Sequence, residues 1–83
     1  EAGFLASCYR ESLRLALVNG VRSVAFPAIS CGVYGYPLDA AATIAVHEVR
    51  AWLAANASPA QAIFCCFGEE AFRIYRRILD RKA

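Results

Sequence analysis

Two apolar runs of strand length, separated by a long stretch with helical periodicity, constrain the fold of this chain more than any other feature. The runs occupy residues 21–26 and 62–67, and the helical stretch covers residues 38–56. A strand, a crossover helix and a second strand of the same sheet connect with right-handed chirality, which makes the two strands parallel. The apolar centres of both runs are typical of strands that are covered on both faces.

Helical spacing also flanks this unit on both sides. It predicts a first helix over residues 4–19 that ends at Asn19-Gly20, with Gly20 in the left-handed C′ position. A last helix begins at Glu69 and Glu70, so the predicted order is α-β-α-β-α. The side chains predicted to face the core are Leu5, Tyr9, Leu13, Ala16 and Leu17, then Ala41, Ala45, Val49, Trp52 and Leu53, then Phe72, Tyr75, Ile78 and Leu79.

The composition is more apolar than a free-standing domain of this size requires. Of the 83 residues, 59% are hydrophobic and only 19% are charged, and the first residue is Glu1 rather than Met. Two parallel strands also leave sheet faces and strand edges that need partners. We therefore expect residues 1–83 to form one partial α/β domain, with further strands lying before residue 1.

Charge and cysteine usage exclude several classes of protein. The net charge is +2, and the basic residues cluster at the end of the last helix instead of forming the dense patch typical of nucleic-acid binding. No apolar run approaches the ~20 residues of a membrane span. One histidine and four cysteines without C-x-x-C spacing argue against a metal site. Buried reduced thiols in a cytoplasmic protein fit this pattern best.

The segment after the first strand is the strongest candidate for a ligand site. About ten residues separate Phe26 from Leu38, more than the two to six of an ordinary strand-to-helix connection. The segment follows the carboxyl end of a parallel strand, the sheet edge where ligands bind in open α/β sheets. It lacks the Walker and the Gly-x-Gly-x-x-Gly patterns. Its glycines and free N–H groups favour a phosphate or diphosphate held by neutral backbone donors, although a plain connection remains the alternative.

Three further residues have both a functional and a structural interpretation. Cys31 lies close to a helix start, which lowers thiol pKa values, but a catalytic thiol needs an oriented base. His47, the single histidine, falls in mid-helix and is most simply a solvated residue. Because no base is then within reach of Cys31, Cys31 is interpreted as a small loop residue. Phe67 ends the second predicted strand at the same edge as the loop. It can pack against a purine or belong to the core, and the residues alone leave both open.

The loop closely resembles the second ligand loop of macro domains, which are ADP-ribose-binding modules. The match rests on the segment Phe26-Pro27-Ala28-Ile29-Ser30-Cys31-Gly32-Val33-Tyr34-Gly35-Tyr36-Pro37. The first helix and the segment Phe64-Cys65-Cys66-Phe67 are similar to the family as well. The nearest likeness is to the bacterial branch related to O-acetyl-ADP-ribose deacetylases. The resemblance implies that the chain is the C-terminal half of a three-layer α/β/α macro domain.

The resemblance also implies a set of ligand-binding residues. These are Ser30, Cys31, Gly32, Val33, Tyr34 and Gly35 around the diphosphate, with Phe67 beside the adenine. Tyr34 would also pack against the distal ribose. Cys31 replaces the threonine or serine more usual in the family, and Gly68 replaces a common acidic N-cap. Neither a metal nor a cofactor is implied.

The implied activity is ADP-ribose binding within an O-acetyl-ADP-ribose deacetylase or ADP-ribosyl hydrolase. An ADP-ribosylated protein is a further candidate partner. The family's asparagine-rich segment, its first glycine-rich loop and its adenine-recognising acidic residue are not in these 83 residues. Catalytic residues are therefore not assigned. A non-catalytic ADP-ribose reader and a fragment that is inactive without its other half, or without another chain to complete the sheet, are the alternatives.

Overall fold

The chain folds as three helices and two strands in the predicted order. The computed structural model describes residues 2–27, 37–66 and 68–81. Its elements are α1 (Ala2–Val18), β1 (Ser23–Pro27), α2 (Leu38–Ala55), β2 (Gln61–Cys65) and α3 (Glu69–Asp80). The α-β-α-β-α order inferred from periodicity is thus confirmed.

The turn between α1 and β1 has the glycine geometry that the sequence predicts. Gly20 adopts φ +66°, which an L side chain rarely adopts. The Val21 N–H donates to the Ala16 carbonyl at 2.9 Å, and the Gly20 N–H donates to the Leu17 carbonyl at 3.2 Å. These two bonds form a Schellman motif, which satisfies the last carbonyls of the helix and turns the chain into β1.

The two strands pair in parallel, as the crossover argument requires. Val24 aligns with Ala62, Phe26 with Phe64 and Pro27 with Cys65. The pairing brings the carboxyl ends of both strands to one edge of the sheet. Both helices that follow the strands therefore begin at this edge and run back towards the opposite one.

All three helices cover the same face of the sheet. Tyr9 of α1 contacts Phe26, and Tyr75 of α3 contacts Phe64, while Ala45 of α2 is fully buried in the same cluster. The opposite face carries the exposed side chains of Ala25 and Ile63. Among the described residues, the expectation of cover on both faces is therefore met only on the helix side. These residues supply two layers of a three-layer α/β/α arrangement.

Several boundaries and core assignments differ from the sequence-based expectations. The second strand ends at Cys65 rather than at residue 67, and the first begins at Ser23 rather than at residue 21. Leu17, Phe72 and Leu79 were expected in the core but are 39%, 53% and 40% exposed. Helical periodicity gives the direction of a side chain, whereas its burial depends on whether another element lies over it. The other predicted inner-face residues are buried or packed against the core.

Candidate functional site

The described residues bracket the predicted ligand segment without including it. Ser30, Cys31, Gly32, Val33, Tyr34, Gly35 and Phe67 all lie outside the described residues. Their neighbours are described, however: residues 28–36 connect Pro27 to Pro37, and residue 67 connects Cys66 to Gly68. Since Pro27 and Cys65 are register partners, both segments leave the sheet from adjacent strand ends.

Two helix N-termini meet this edge as well. α2 follows Pro37 and α3 follows Gly68, and neither N-cap residue makes a side-chain capping bond. The first N–H groups of a helix lack intrahelical partners and carry partial positive charge, which favours anions. Asp39 uses one of them, because its carboxylate accepts the Ala40 N–H at 2.9 Å. Two helices that begin after two parallel strand ends create a favourable environment for a phosphate group.

The backbone conformation of residue 68 explains why a glycine stands at the N-cap of α3 in place of an acidic residue. Its φ is +102°, a backbone conformation that L side chains rarely adopt, while an added Cβ would meet nothing within 4 Å. The glycine is therefore required by backbone conformation and not by lack of space. The adjacent carboxylates of Glu69 and Glu70 lie in the first turn, where they favour the helix dipole.

A row of four aromatic rings lies on the helix side of the sheet. The ring centroids of Tyr9 and Phe26 are 5.0 Å apart, those of Phe26 and Phe64 are 6.1 Å apart, and those of Phe64 and Tyr75 are 5.1 Å apart. These tilted contacts tie α1, β1, β2 and α3 together. Phe26 lies one residue before Pro27, so the aromatic row supports the strand end from which the predicted ligand segment leaves.

The described thiols do not form a nucleophilic site. Cys65 and Cys66 are adjacent, and Cys66 packs against the core on the helix side. Burial, and to a lesser degree the neighbouring Cys65, raises the pKa of the Cys66 thiol. A raised pKa keeps the thiol protonated and unreactive. His47 is exposed on α2, in agreement with the solvated position predicted for it.

An apolar groove beside the edge explains the exposed apolar residues of α3. It has a volume of about 350 Å³ and lies between α2, β2 and α3. Phe72 and Leu79 line it, together with Phe64 and Cys66 of the second strand region. Sequence reasoning missed this groove because periodicity placed Phe72 and Leu79 in the core. The sequence signal for the groove was that the apolar residues of α3 form two adjacent rows. One row is buried (Ala71, Tyr75 and Ile78), and the other lines the groove (Phe72 and Leu79).

The described residues contain neither a metal-binding cluster nor a helix suited to span a membrane. No group of three or more His, Cys, Asp or Glu residues there could hold a metal ion. Across residues 2–27, 37–66 and 68–81, no helix is both long enough and apolar enough to span a membrane.

The geometry of this edge indicates a class of protein. A parallel β-α-β unit whose strand ends and helix N-termini meet at one edge is typical of α/β domains that bind phosphate-bearing ligands. The sequence profile described as "Macro domain" matches residues 1–45. The chain belongs to the macro domain family.

Named relatives and solved structures agree with this membership. The chain is 51% identical over 82 residues to the O-acetyl-ADP-ribose deacetylase of Citrobacter rodentium, covering 99% of the chain and 46% of that protein. It is 56% identical over 77 residues to a macro domain-containing protein of Mesorhizobium japonicum, covering 93% of the chain and 44% of that protein. The chain thus spans less than half the length of these relatives.

The solved structures extend the agreement to three dimensions. The chain superposes on the Oceanobacillus iheyensis macrodomain with ADP with a TM-score of 0.90 and 38% identity, covering 95% of the chain and 41% of that structure. For the Trypanosoma brucei macrodomain in complex with ADP, the TM-score is 0.90 and the identity 40%, with 95% of the chain and 34% of that structure covered. The α/β macro domain fold is therefore shown at high structural similarity.

Proposed function

We propose that this chain contributes the diphosphate-binding half of an ADP-ribose site in an O-acetyl-ADP-ribose deacetylase or ADP-ribosyl hydrolase. The observation that carries the proposal is the pairing of Pro27 with Cys65, which brings two strand ends and two helix N-termini to one edge. The names of the relatives and the ADP in the solved macrodomains support the choice of ligand. O-acetyl-ADP-ribose and ADP-ribosylated proteins are the proposed substrates.

The proposed contacts follow the chemistry of the ligand. Backbone N–H groups of Ser30, Cys31, Gly32 and Val33 would hold the diphosphate, with Gly35 keeping the segment close to it. Tyr34 would pack against the distal ribose, and Phe67 against the adenine. Because Cys31 would contribute through its backbone, its replacement of a family hydroxyl residue is expected to cost little affinity.

The remaining half of the site is proposed to come from another segment or chain. The chain spans 46% of the Citrobacter rodentium deacetylase, and the face that carries Ala25 and Ile63 is open. A complementing half would cover this face and extend the sheet. Hydrolysis would proceed by a water held against the distal ribose and polarised by the bound diphosphate, with this chain orienting that ribose.

A reader that binds ADP-ribose without chemistry is the second candidate. The described edge of the sheet supports it, because strand ends and helix N-termini can bind a phosphate group without supplying a reacting group. We also propose a cytoplasmic location. Its support is the four cysteines, whose spacing fits reduced thiols better than a disulfide framework.

The test uses this chain combined with the part of the Citrobacter rodentium deacetylase that the chain does not cover. ADP-ribose binding is compared with and without the substitution Gly32→Val in this chain. We expect loss of ADP-ribose binding by calorimetry, of at least about tenfold because the added side chain blocks backbone approach. Ala57→Val, an exposed change of the same kind, is the matched control.

Three outcomes separate the alternatives. Binding with hydrolysis of O-acetyl-ADP-ribose, both lost in Gly32→Val, supports the enzyme. Binding without hydrolysis supports the reader. A flat titration of the unsubstituted combination contradicts ADP-ribose binding by this chain.

A further inference from the structure

A second groove lies on the outer face of the helix layer, between α2 and α3. It has a volume of about 440 Å³ and is lined by exposed α2 residues such as His47 and Ala51, with Ile78 and Arg81 on the α3 side. We call it the basic groove, because its charged or titratable lining side chains are His47, Arg50 and Arg81. Since the helices separate it from the sheet, a complementing half on the open sheet face leaves it accessible.

The cations of the basic groove are not neutralised by neighbouring carboxylates. The ion pairs among the described residues join Arg10 to Glu48, Arg14 to Glu11 and Arg76 to Asp80. Neither Arg50 nor Arg81 takes part in one of these pairs, and the lining residues that the structure describes include no carboxylate. Within the described residues, the groove therefore presents three cationic or protonatable groups in its lining and no carboxylate beside them.

Arg50 is also held in a fixed position. Its Nη2 donates to the Leu79 carbonyl near the end of α3, and the side chain is half-buried. A guanidinium has five N–H donors, so this bond leaves others for a ligand. Fixing the side chain in advance lowers the entropy cost of binding, which makes Arg50 the best-prepared contact of the groove.

The dimensions and the floor of the groove favour a peptide. It extends along α2 from Thr43 to Ala54, about 16 Å at the rise of an α-helix, which is the length of about five extended residues. Ala51 and Ala54 present methyl groups, and Val46 and Ile78 lie beneath them. An apolar side chain can pack on this floor while carboxylates reach the surrounding cations.

We propose that the basic groove binds an acidic peptide segment of a partner protein, one that carries carboxylates on both sides of an apolar side chain. A nucleic acid is disfavoured, because the described lining residues include no aromatic ring for base stacking and too few cations to follow a phosphate backbone. The groove lies at the end of α3, whereas the proposed ADP-ribose segment leaves the start of α2. The proposal therefore stands independently of the proposed function.

The test measures binding of a synthetic acetyl-Glu-Asp-Leu-Glu-Asp-amide probe to the full chain, combined with the complementing part of the Citrobacter rodentium relative. We expect saturable binding by NMR shift perturbation at α2 and α3 resonances, weakened by added salt. Arg50→Gln and Arg81→Gln should each lower affinity about threefold to fivefold, the upper part of the range for single charge pairs at a protein surface. Arg73→Gln, elsewhere on α3, removes the same charge and should change affinity less than about twofold.

Two further probes complete the experiment. An acetyl-Lys-Lys-Leu-Lys-Lys-amide probe and oligouridylate should not bind at the groove. The proposal is overturned if oligouridylate binds there and the acidic probe does not, or if the acidic probe binds Arg50→Gln/Arg81→Gln as tightly as the unsubstituted protein. Circular dichroism of each variant establishes that it is folded. Because Arg81 is exposed, its substitution tests the proposal independently of the Arg50–Leu79 contact.

Discussion

The two faces of the sheet differ in almost every respect, although they alternate along the same two strands. The helix face has Phe26 at 6% exposure within a continuous aromatic row, whereas the opposite face has Ile63 at 44% exposure. One face is a finished core, and the other is an apolar surface without cover among the described residues. The difference shows that the helices support the ends of both strands on one face, while the described residues leave the other face uncovered.

Removal of a ring from the covered face should have the largest effect. Phe26→Ala deletes the side chain that contacts both Tyr9 and Phe64, leaving a cavity at the centre of the aromatic row. We expect a loss of about 3–5 kcal/mol in the free energy of unfolding, measured by urea titration. Ala25→Gly, on the open face of the same strand, is the control. If the two substitutions cost the same, the covered face is not the core of the chain.

The open face gives the second prediction, which depends on what lies over it. Ile63→Ala in the chain alone should cost less than about 1 kcal/mol, because the side chain is already nearly half exposed. With the complementing part of the Citrobacter rodentium relative bound, the same substitution should cost about 2–5 kcal/mol, the range for a buried isoleucine.

Urea titrations with and without the complementing part measure this difference. A small cost in both states would show that the open face is not covered by that part. Phe72→Ala is the comparison variant, since Phe72 is similarly exposed but lies on α3, away from the open face. A rise in cost confined to Ile63 would locate the contact on the sheet.

The sequence predicted the elements well because their physical causes are local. The parallel strands follow from the crossover connection, and the Schellman turn at Gly20 follows from a glycine after a helical pattern. The exposure of Phe72 and Leu79 could not be predicted from helical periodicity, because an apolar side chain can line a groove as well as a core. Prediction of the aromatic row would have required the register of the two strands, which no local sequence pattern determines.

The sequence predicted an edge for the candidate site but not its contacts. Strand polarity and loop length predicted that a ligand binds at the carboxyl ends of the strands, and the register of Pro27 with Cys65 confirms that both strands end at one edge. The roles of residues 30–35 and of Phe67 stay predictions, since these residues lie outside the described ones. The positive φ of Gly68 could not be predicted from the sequence. The sequence indicated only that Gly68 replaces an acidic N-cap residue.

The smallest effect belongs to Cys66, whose environment differs from that of an exposed thiol. Burial, followed by the influence of Cys65, raises the pKa of the Cys66 thiol in the folded state. The folded protein therefore binds the thiol proton more tightly than the unfolded chain does. Stability is fully retained below the unfolded thiol pKa and declines as pH rises through the folded one. Urea titrations at pH 7.5 and pH 9.5 should show this decline, and Cys66→Ala should reduce it. Cys8→Ala is the matched control, because it removes a half-buried thiol from α1. An alkaline decline that Cys66→Ala leaves unchanged would show that burial of this thiol does not oppose its ionisation.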